Sequence, residues 1–245
     1  MITMQEVTFI NYALSKISKT SLLASPIDAE DGFVRLVDYM GDDHSVVRAA
    51  RVSYGEETKG DKADKKLINY LMTHNHGTPF EHISFTFHIK CPLFIARQWF
   101  RHRIGSFNEI SGRYVEINSQ FWKPTNWRVN VNPRNKQDST EQEWDPKMLE
   151  AIDHAYQKTI HQSSETYEWL LANGVAKEQA RAVLPLATYT EFYWTVNARS
   201  LFNFINLRTS PDAQLEMQNY ANIVYDLAKL NAPWTFEAFA SNKRK

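Results

Sequence analysis

Between residues 97 and 114 the chain reads RQWFRHRIGSFNEISGRY, which sets Arg97, Arg101, Arg103 and Arg113 close together beside Gln98, His102, Ser106, Asn108, Glu109 and Ser111. Guanidiniums crowded in this way repel one another unless an anion lies between them. Their planar forks suit the paired oxygens of phosphate or carboxylate, which a lysine ammonium cannot match. A phosphate-bearing ligand is therefore the chemical expectation. The structural alternative is an exposed helix end whose arginines pair with neighbouring acids. A second group, NARSLFNFINLR from 197 to 208, sets Asn197, Arg199, Asn203 and Arg208 among Leu201, Phe202, Phe204, Ile205 and Leu207. Polar groups amid that much apolar surface need partners if buried. A third, HNHGTPFEH from 74 to 82, has metal-ligating side chains but no cysteine partner and no HExxH spacing, so no metal is assigned. The eight glycines form neither GxGxxG nor GxxxxGK[ST], so any pyrophosphate must be held by side chains, for which Arg101, His102, Arg103 and Arg199 are candidates. Two nucleophiles remain. Cys91 lies before Pro92 near a helix start and reads mainly as a small buried hydrophobe, and Ser111 has no assignable histidine and acid partners.

The elements that position these groups follow from periodicity and punctuation. Residues 33–40 read as a strand, and Asp42 or Asp43 offers an N-cap for a short helix through Val52. A helix over 62–75 buries Leu67, Ile68, Leu71 and Met72, with Gly77 near its C-terminal end. Ile83, Phe85, Phe87 and Ile89 alternate with Ser84, Thr86, His88 and Lys90, as on a half-buried strand. Pro92 opens the arginine helix, whose spacing puts Arg97 and Arg101 on one face; Gly105, Asn108, Ser111 and Gly112 then predict a polar turn. Loop is expected from Tyr114 to Ser139. Asp145-Pro146 starts a long helix ending near Gly174 that carries Leu149, Ile152, Tyr156, Ile160, Tyr167 and Leu170. A shorter helix over 177–183 precedes a strand over 188–196, Asn197 caps a helix through Leu207, and Pro211-Asp212 begins a last long helix to about 230. These elements predict an α/β (α+β) fold, a single domain with several long helices.

A chain of 245 residues with 43% hydrophobic content can bury a sizeable core. The 28 basic and 28 acidic side chains balance, so no global field draws it to nucleic acid or anionic membrane, and the arginine cluster is a local site. One cysteine rules out an internal disulfide and suits a reducing compartment. No apolar run approaches a membrane span, and the first residues have no apolar core behind a basic start. The expected location is cytoplasmic, with no secretory signal.

The order Arg101-His-Arg, then Ser106, Asn108-Glu109, Ser111 and Arg113-Tyr114 resembles the signature of the flavin-dependent thymidylate synthases. The likeness runs from about Phe33 to Phe239 through VRAARVS, HGTPFEH, FTFHIK, ARQWFRHR, VLPL, WTVNARS and PWTFEAF. Only the first thirty or so residues and a polar insert near 124–143 look particular to this sequence. The implied division is an N-terminal extension over 1–32, a catalytic domain over 33–240 and a tail over 241–245.

The resemblance implies a mixed β-sheet with flanking helices and a homotetramer whose active sites draw on more than one chain. It implies conversion of dUMP to dTMP, with 5,10-methylenetetrahydrofolate as carbon donor and NADPH reducing FAD, without a covalent enzyme nucleophile. His76, Thr78, Arg101, His102, Arg103, Asn108, Glu109, Asn197, Arg199 and Asn203 are the implied FAD ligands. Gln98, Arg101, Glu109, Ser111, Gly112, Arg113, Arg181 and Arg208 are the implied nucleotide ligands, with Arg208 as the catalytic group that polarises the pyrimidine. Asp212 stands where the family often carries histidine. The competing expectation from another class is a nucleotide or single-strand binding module that stacks bases on Trp99, Phe100 and Phe107. A flavoprotein with a different substrate is the third.

Overall fold

In a computed structural model of the chain, residues 24–27, 32–55, 58–117, 120–130 and 139–242 are described. Most of the N-terminal extension and the tip of the polar insert lie outside them. Seven strands are present among the described residues: β1 (Ala24–Ile27), β2 (Gly32–Met40), β3 (Ser84–Pro92), β4 (Ser106–Glu109), β5 (Arg128–Asn130), β6 (Ser139–Glu141) and β7 (Tyr189–Asn197). Five of them form one sheet in the order β1-β2-β3-β7-β4, and β5 and β6 make a separate hairpin. Every pairing is antiparallel, which corrects the expected mixed sheet. The alternation along β3 carries the reason. A strand with one apolar and one polar face suits an antiparallel sheet covered on one side, whereas parallel strands are buried on both.

Phe85, Phe87 and Ile89 of β3 and Phe192, Trp194 and Val196 of β7 point to the covered side, where they are buried. Helices α1 (Asp43–Arg51), α2 (Asp61–Thr73), α3 (Leu93–Trp99), α4 (Pro146–Ala172), α5 (Lys177–Ala180), α6 (Ala198–Arg208), α7 (Leu215–Asn231) and α8 (Pro233–Asn242) complete the chain. Phe204 of α6, Val224 of α7 and Phe236 of α8 close the core against the sheet. Truncating one of these phenylalanines to Ala would cost about 3–5 kcal/mol. The other face of the sheet is polar, with Thr86 and Thr195 hydrogen-bonded at 2.9 Å and His88 stacked on Tyr193 at 4.7 Å.

Several expected elements stand with small changes at their ends. Asp42 caps α1 with a full capping box, Asp145 caps α4 and Asn197 caps α6. Others differ. The left-handed residue at the end of α2 is Asn75, not Gly77, because Asn75 at φ 57 already reverses the chain there. The arginine helix α3 stops at Trp99, so Arg97 and Arg101 share no helical face. Trp99 is fully buried against Phe192, Trp194 and Phe204, and this anchor turns the chain back toward β7. Ser106–Glu109, expected as turn, then pairs with β7 as an edge strand. The polar insert contains the β5–β6 hairpin where loop was expected. Pro211 and Asp212 form a turn before α7, and Pro233 opens a further helix, α8, that the sequence pattern did not separate. Of the apolar side chains named on α4, only Tyr167 is buried.

Candidate functional site

The turn after α3 and the end of α6 meet. Arg208 donates from Nε to His102 Nε2 at 2.9 Å and from Nη2 to the Gln98 carbonyl at 2.9 Å. Accepting at Nε2 makes His102 the Nδ1–H tautomer, a neutral ring. Burial and the Arg208 charge lower its pKa from the ordinary 6.5 to about 4, so it stays neutral near pH 7. Burial, and then the charge of Arg101, also lower the Arg208 pKa, although a guanidinium remains charged. The Gln98 side chain donates to Gln214 Oε1 at 2.6 Å, which ties α3 to the turn before α7. Gln98, Arg208, Asp212 and Gln214 line a recess of about 590 Å³. Here a half-buried cation is held by neutral acceptors, and no carboxylate pairs with it among the described residues.

A second recess, of about 630 Å³, is lined by Glu109, Gly112 and Arg181 with Lys90, Glu178 and Glu191. Glu109 accepts a hydrogen bond from Thr190 Oγ1 at 2.7 Å, which fixes it on edge strand β4. Gly112 is buried beneath the Arg181 stem, and a Cβ there would come within 2.7 Å of Ile117 Cδ1 and 3.1 Å of Arg181 Cδ. Arg113 is exposed and pairs with Glu178 at 2.9 Å. The backbone N–H of Arg113 donates to Ser111 Oγ at 3.3 Å, which shapes the loop. The two recesses share no lining residue. Of the implied nucleotide ligands, Gln98 and Arg208 line the first, and Glu109, Gly112 and Arg181 line the second. Arg113 reaches the second only through its pair with Glu178, and Arg101 and Ser111 line neither.

The implied flavin ligands are also divided. Arg199 pairs with Glu81 and presses on Gly77, where a Cβ would lie 2.6 Å from its Nε. His76 and Thr78 are exposed on the same segment, and His76 packs edge-on against Tyr70 at 6.0 Å. Asn197 uses its Oδ1 to accept from the Ser200 N–H at 2.9 Å as the α6 cap, while Asn203 further along the helix is exposed. Arg101, Arg103 and Asn108 are exposed. Neither arginine has an acid partner among the described residues, which suits a pyrophosphate held by side chains. This donor set fits a dinucleotide without a glycine-rich cradle.

Cys91 is fully buried, and burial followed by the Glu109 charge pushes its thiol well above the ordinary range. That is the opposite of what a nucleophile needs. Among the described residues no three His, Cys, Asp or Glu side chains converge as metal ligands would. Among the described residues no helix is long and apolar enough to cross a membrane. Sequence reasoning missed Gln214, Arg128 and Glu178. Their signals were weak, since the first two follow loop and breaker residues and the third is one acid on a short helix.

Residues 35–234 match the family described as thymidylate synthase complementing protein. The chain is 54% identical over 210 residues to a flavin-dependent thymidylate synthase of Thermosipho africanus, covering 86% of this chain and 91% of that protein. It is 48% identical to one of Thermus thermophilus, over 86% of this chain and 76% of the relative. It also resembles the crystal structure of a UMP/dUMP methylase, PolB, from Streptomyces cacaoi bound with 5-Br UMP. That likeness has a TM-score of 0.78 and 35% identity, over 87% of this chain and 96% of the other.

Proposed function

This chain belongs to the flavin-dependent thymidylate synthase family, and on that premise we propose its full reaction. It is an FAD-dependent enzyme of dUMP methylation. The proposed carbon donor is 5,10-methylenetetrahydrofolate and the proposed reductant is NADPH. A bound flavin would supply the redox chemistry that links that reductant to the transferred carbon. The chain's own residues bind, orient and polarise.

The observation that carries this reading is the setting of Arg208. Its Nε and Nη2 are held by His102 and Gln98, so the guanidinium is fixed beside the recess with no acid paired to it among the described residues. Placed against the N3 and O2 edge of the pyrimidine, it would stabilise negative charge on the ring and make C5 nucleophilic. One such fixed donor is worth on the order of 10²–10³ in rate. No enzyme thiol has to add to the ring, in keeping with the buried Cys91.

The proposed phosphate-binding group is Ser111, Gly112, Arg113 and Arg181, with Glu109 at its edge. Because Gly112 and Arg181 line one recess and Arg208 another, the proposal includes a homotetramer in which one chain supplies the phosphate side and another the pyrimidine side. His76, Thr78, Arg101, His102, Arg103, Asn108, Glu109, Asn197, Arg199 and Asn203 are the proposed FAD ligands. The proposed catalytic domain is 33–240, between the extension over 1–32 and the tail over 241–245, with the cytoplasm as its compartment.

The test is the visible spectrum of the purified protein before and after dUMP, followed by product analysis with the carbon donor and NADPH. Flavin bands that shift with dUMP, and dTMP as product, are expected. A flavin spectrum unmoved by dUMP would separate the two sites and overturn the reading. Light scattering should give a tetramer, and a fully active monomer would contradict the shared site.

A further inference from the structure

Within the polar insert, Arg128 and Ser139 stand on neighbouring strands of the β5–β6 hairpin and line the same recess as Gln98 and Arg208. The hairpin is held there by side chains of the main body. Trp127 Nε1 donates to Asp153 Oδ1 of α4 at 2.8 Å, and Arg128 pairs with Glu216 of α7 at 2.8 Å. Arg128 also donates from Nε to Ser139 Oγ at 3.1 Å. Burial alone would raise the Glu216 carboxyl, but the Arg128 hydrogen bond and charge, together with hydrogen bonds from its own backbone and from Gln214, lower it overall. The guanidinium is thus fixed in plane by two neighbours. Its Nη1, like that of Arg208, has no protein partner among the described residues. Gln214 and Gln218 add amide groups to the same wall.

We propose that the paired strands β5 and β6 form part of the carbon-donor site and that Arg128 binds a carboxylate of the donor. The inference rests on the proposed reaction and adds to it a specificity-determining residue. Arg128 and Arg208 both line one polar recess, and two guanidiniums there invite an anion beyond the pyrimidine. The nucleotide's own phosphate is assigned to the Arg113 side, in the other recess. The transferred carbon must reach the ring that Arg208 holds. The folate, which carries a glutamate carboxylate tail, is therefore the anionic reactant that has to enter here. NADPH, the other anionic reactant, provides the comparison.

The experiment is steady-state kinetics of Arg128→Gln and Arg128→Lys, varying methylenetetrahydrofolate monoglutamate, NADPH and dUMP in turn. Gln keeps a hydrogen-bond donor for Glu216, and if it fails to fold, Arg128→Gln with Glu216→Gln restores an uncharged pair. The expected result is a KM for the folate raised on the order of tenfold, the loss of one charge-assisted hydrogen bond. The lysine variant should lie between that and the unsubstituted chain. The KM values for NADPH and dUMP and the dUMP-induced flavin shift should not move. An unchanged folate KM, a rise for NADPH instead, or an equal rise for all three reactants would overturn the role of Arg128. The unsubstituted chain is the control: if it makes no dTMP, the proposed reaction itself fails, which is a different result from a normal control beside an indifferent Arg128 variant.

Discussion

Arg208 and Arg113 carry the same guanidinium and are finished in opposite ways. Arg208 is half-buried at the end of α6 and donates to a neutral imidazole and a backbone carbonyl, so its charge is fixed in place and left uncompensated. Arg113 is 58% exposed on the loop after β4 and lies against the Glu178 carboxylate. The first arrangement resembles a preorganised electrostatic group, which does not have to reorganise as charge develops. The second is an exposed pair, worth roughly 0–1 kcal/mol, from which an incoming phosphate can take the arginine at little cost. Fixed charge suits a catalytic role, and exchangeable charge suits capture of a ligand.

Substitution can break this contrast. Arg208→Ala should have the largest effect, lowering kcat for dTMP formation by on the order of 10²-fold or more while the flavin spectrum persists. Loss of flavin instead would move Arg208 into the cofactor shell. Arg113→Ala should weaken dUMP on the order of tenfold with kcat largely kept, as read from dUMP titration of the flavin bands. An unchanged dUMP affinity would remove Arg113 from the site.

Acidity sharpens the same comparison. His102 is neutral in the folded chain down to about pH 4, whereas an ordinary histidine takes up its proton near 6.5. The unfolded chain therefore binds more protons between those values. Stability should fall as pH drops through that window, by at most ~1.4 kcal/mol per pH unit. His102→Gln should flatten this limb in denaturant titrations across the window, and an equal slope in both proteins would place the proton elsewhere. The smallest effect belongs to Cys91→Ala, which should cost about 1 kcal/mol of stability and leave turnover nearly unchanged. Abolished turnover in a folded variant would revive a thiol mechanism.

The hydrophobic and capping patterns were legible in the sequence because they depend on near neighbours. Asp145 and Asn197 cap the helices they were expected to cap, Asp42 is the one of the two expected aspartates that caps α1, and the β3 alternation predicted which side chains would be buried. The arginine helix was read too long because nothing local says that it must stop. The stop comes from Trp99 meeting Phe192, Trp194 and Phe204, which lie about a hundred residues away in the chain. The hairpin over Arg128–Asn130 and Ser139–Glu141 was read as loop because each strand is three residues long, too short for alternation to register.

By itself, then, the sequence determined the types of side chain available for the chemistry, the family likeness carried by their order, and the identity of most helices and strands. Those properties are local or additive along the chain. Only the tertiary structure decided which of the arginines would be fixed and which left exchangeable. That choice depends on what each meets across the fold: Arg208 meets His102 and Gln98, Arg113 meets Glu178, and Arg128 meets Glu216. The energy of a charge is set by the partners and the burial around it, and those are supplied by residues distant in sequence.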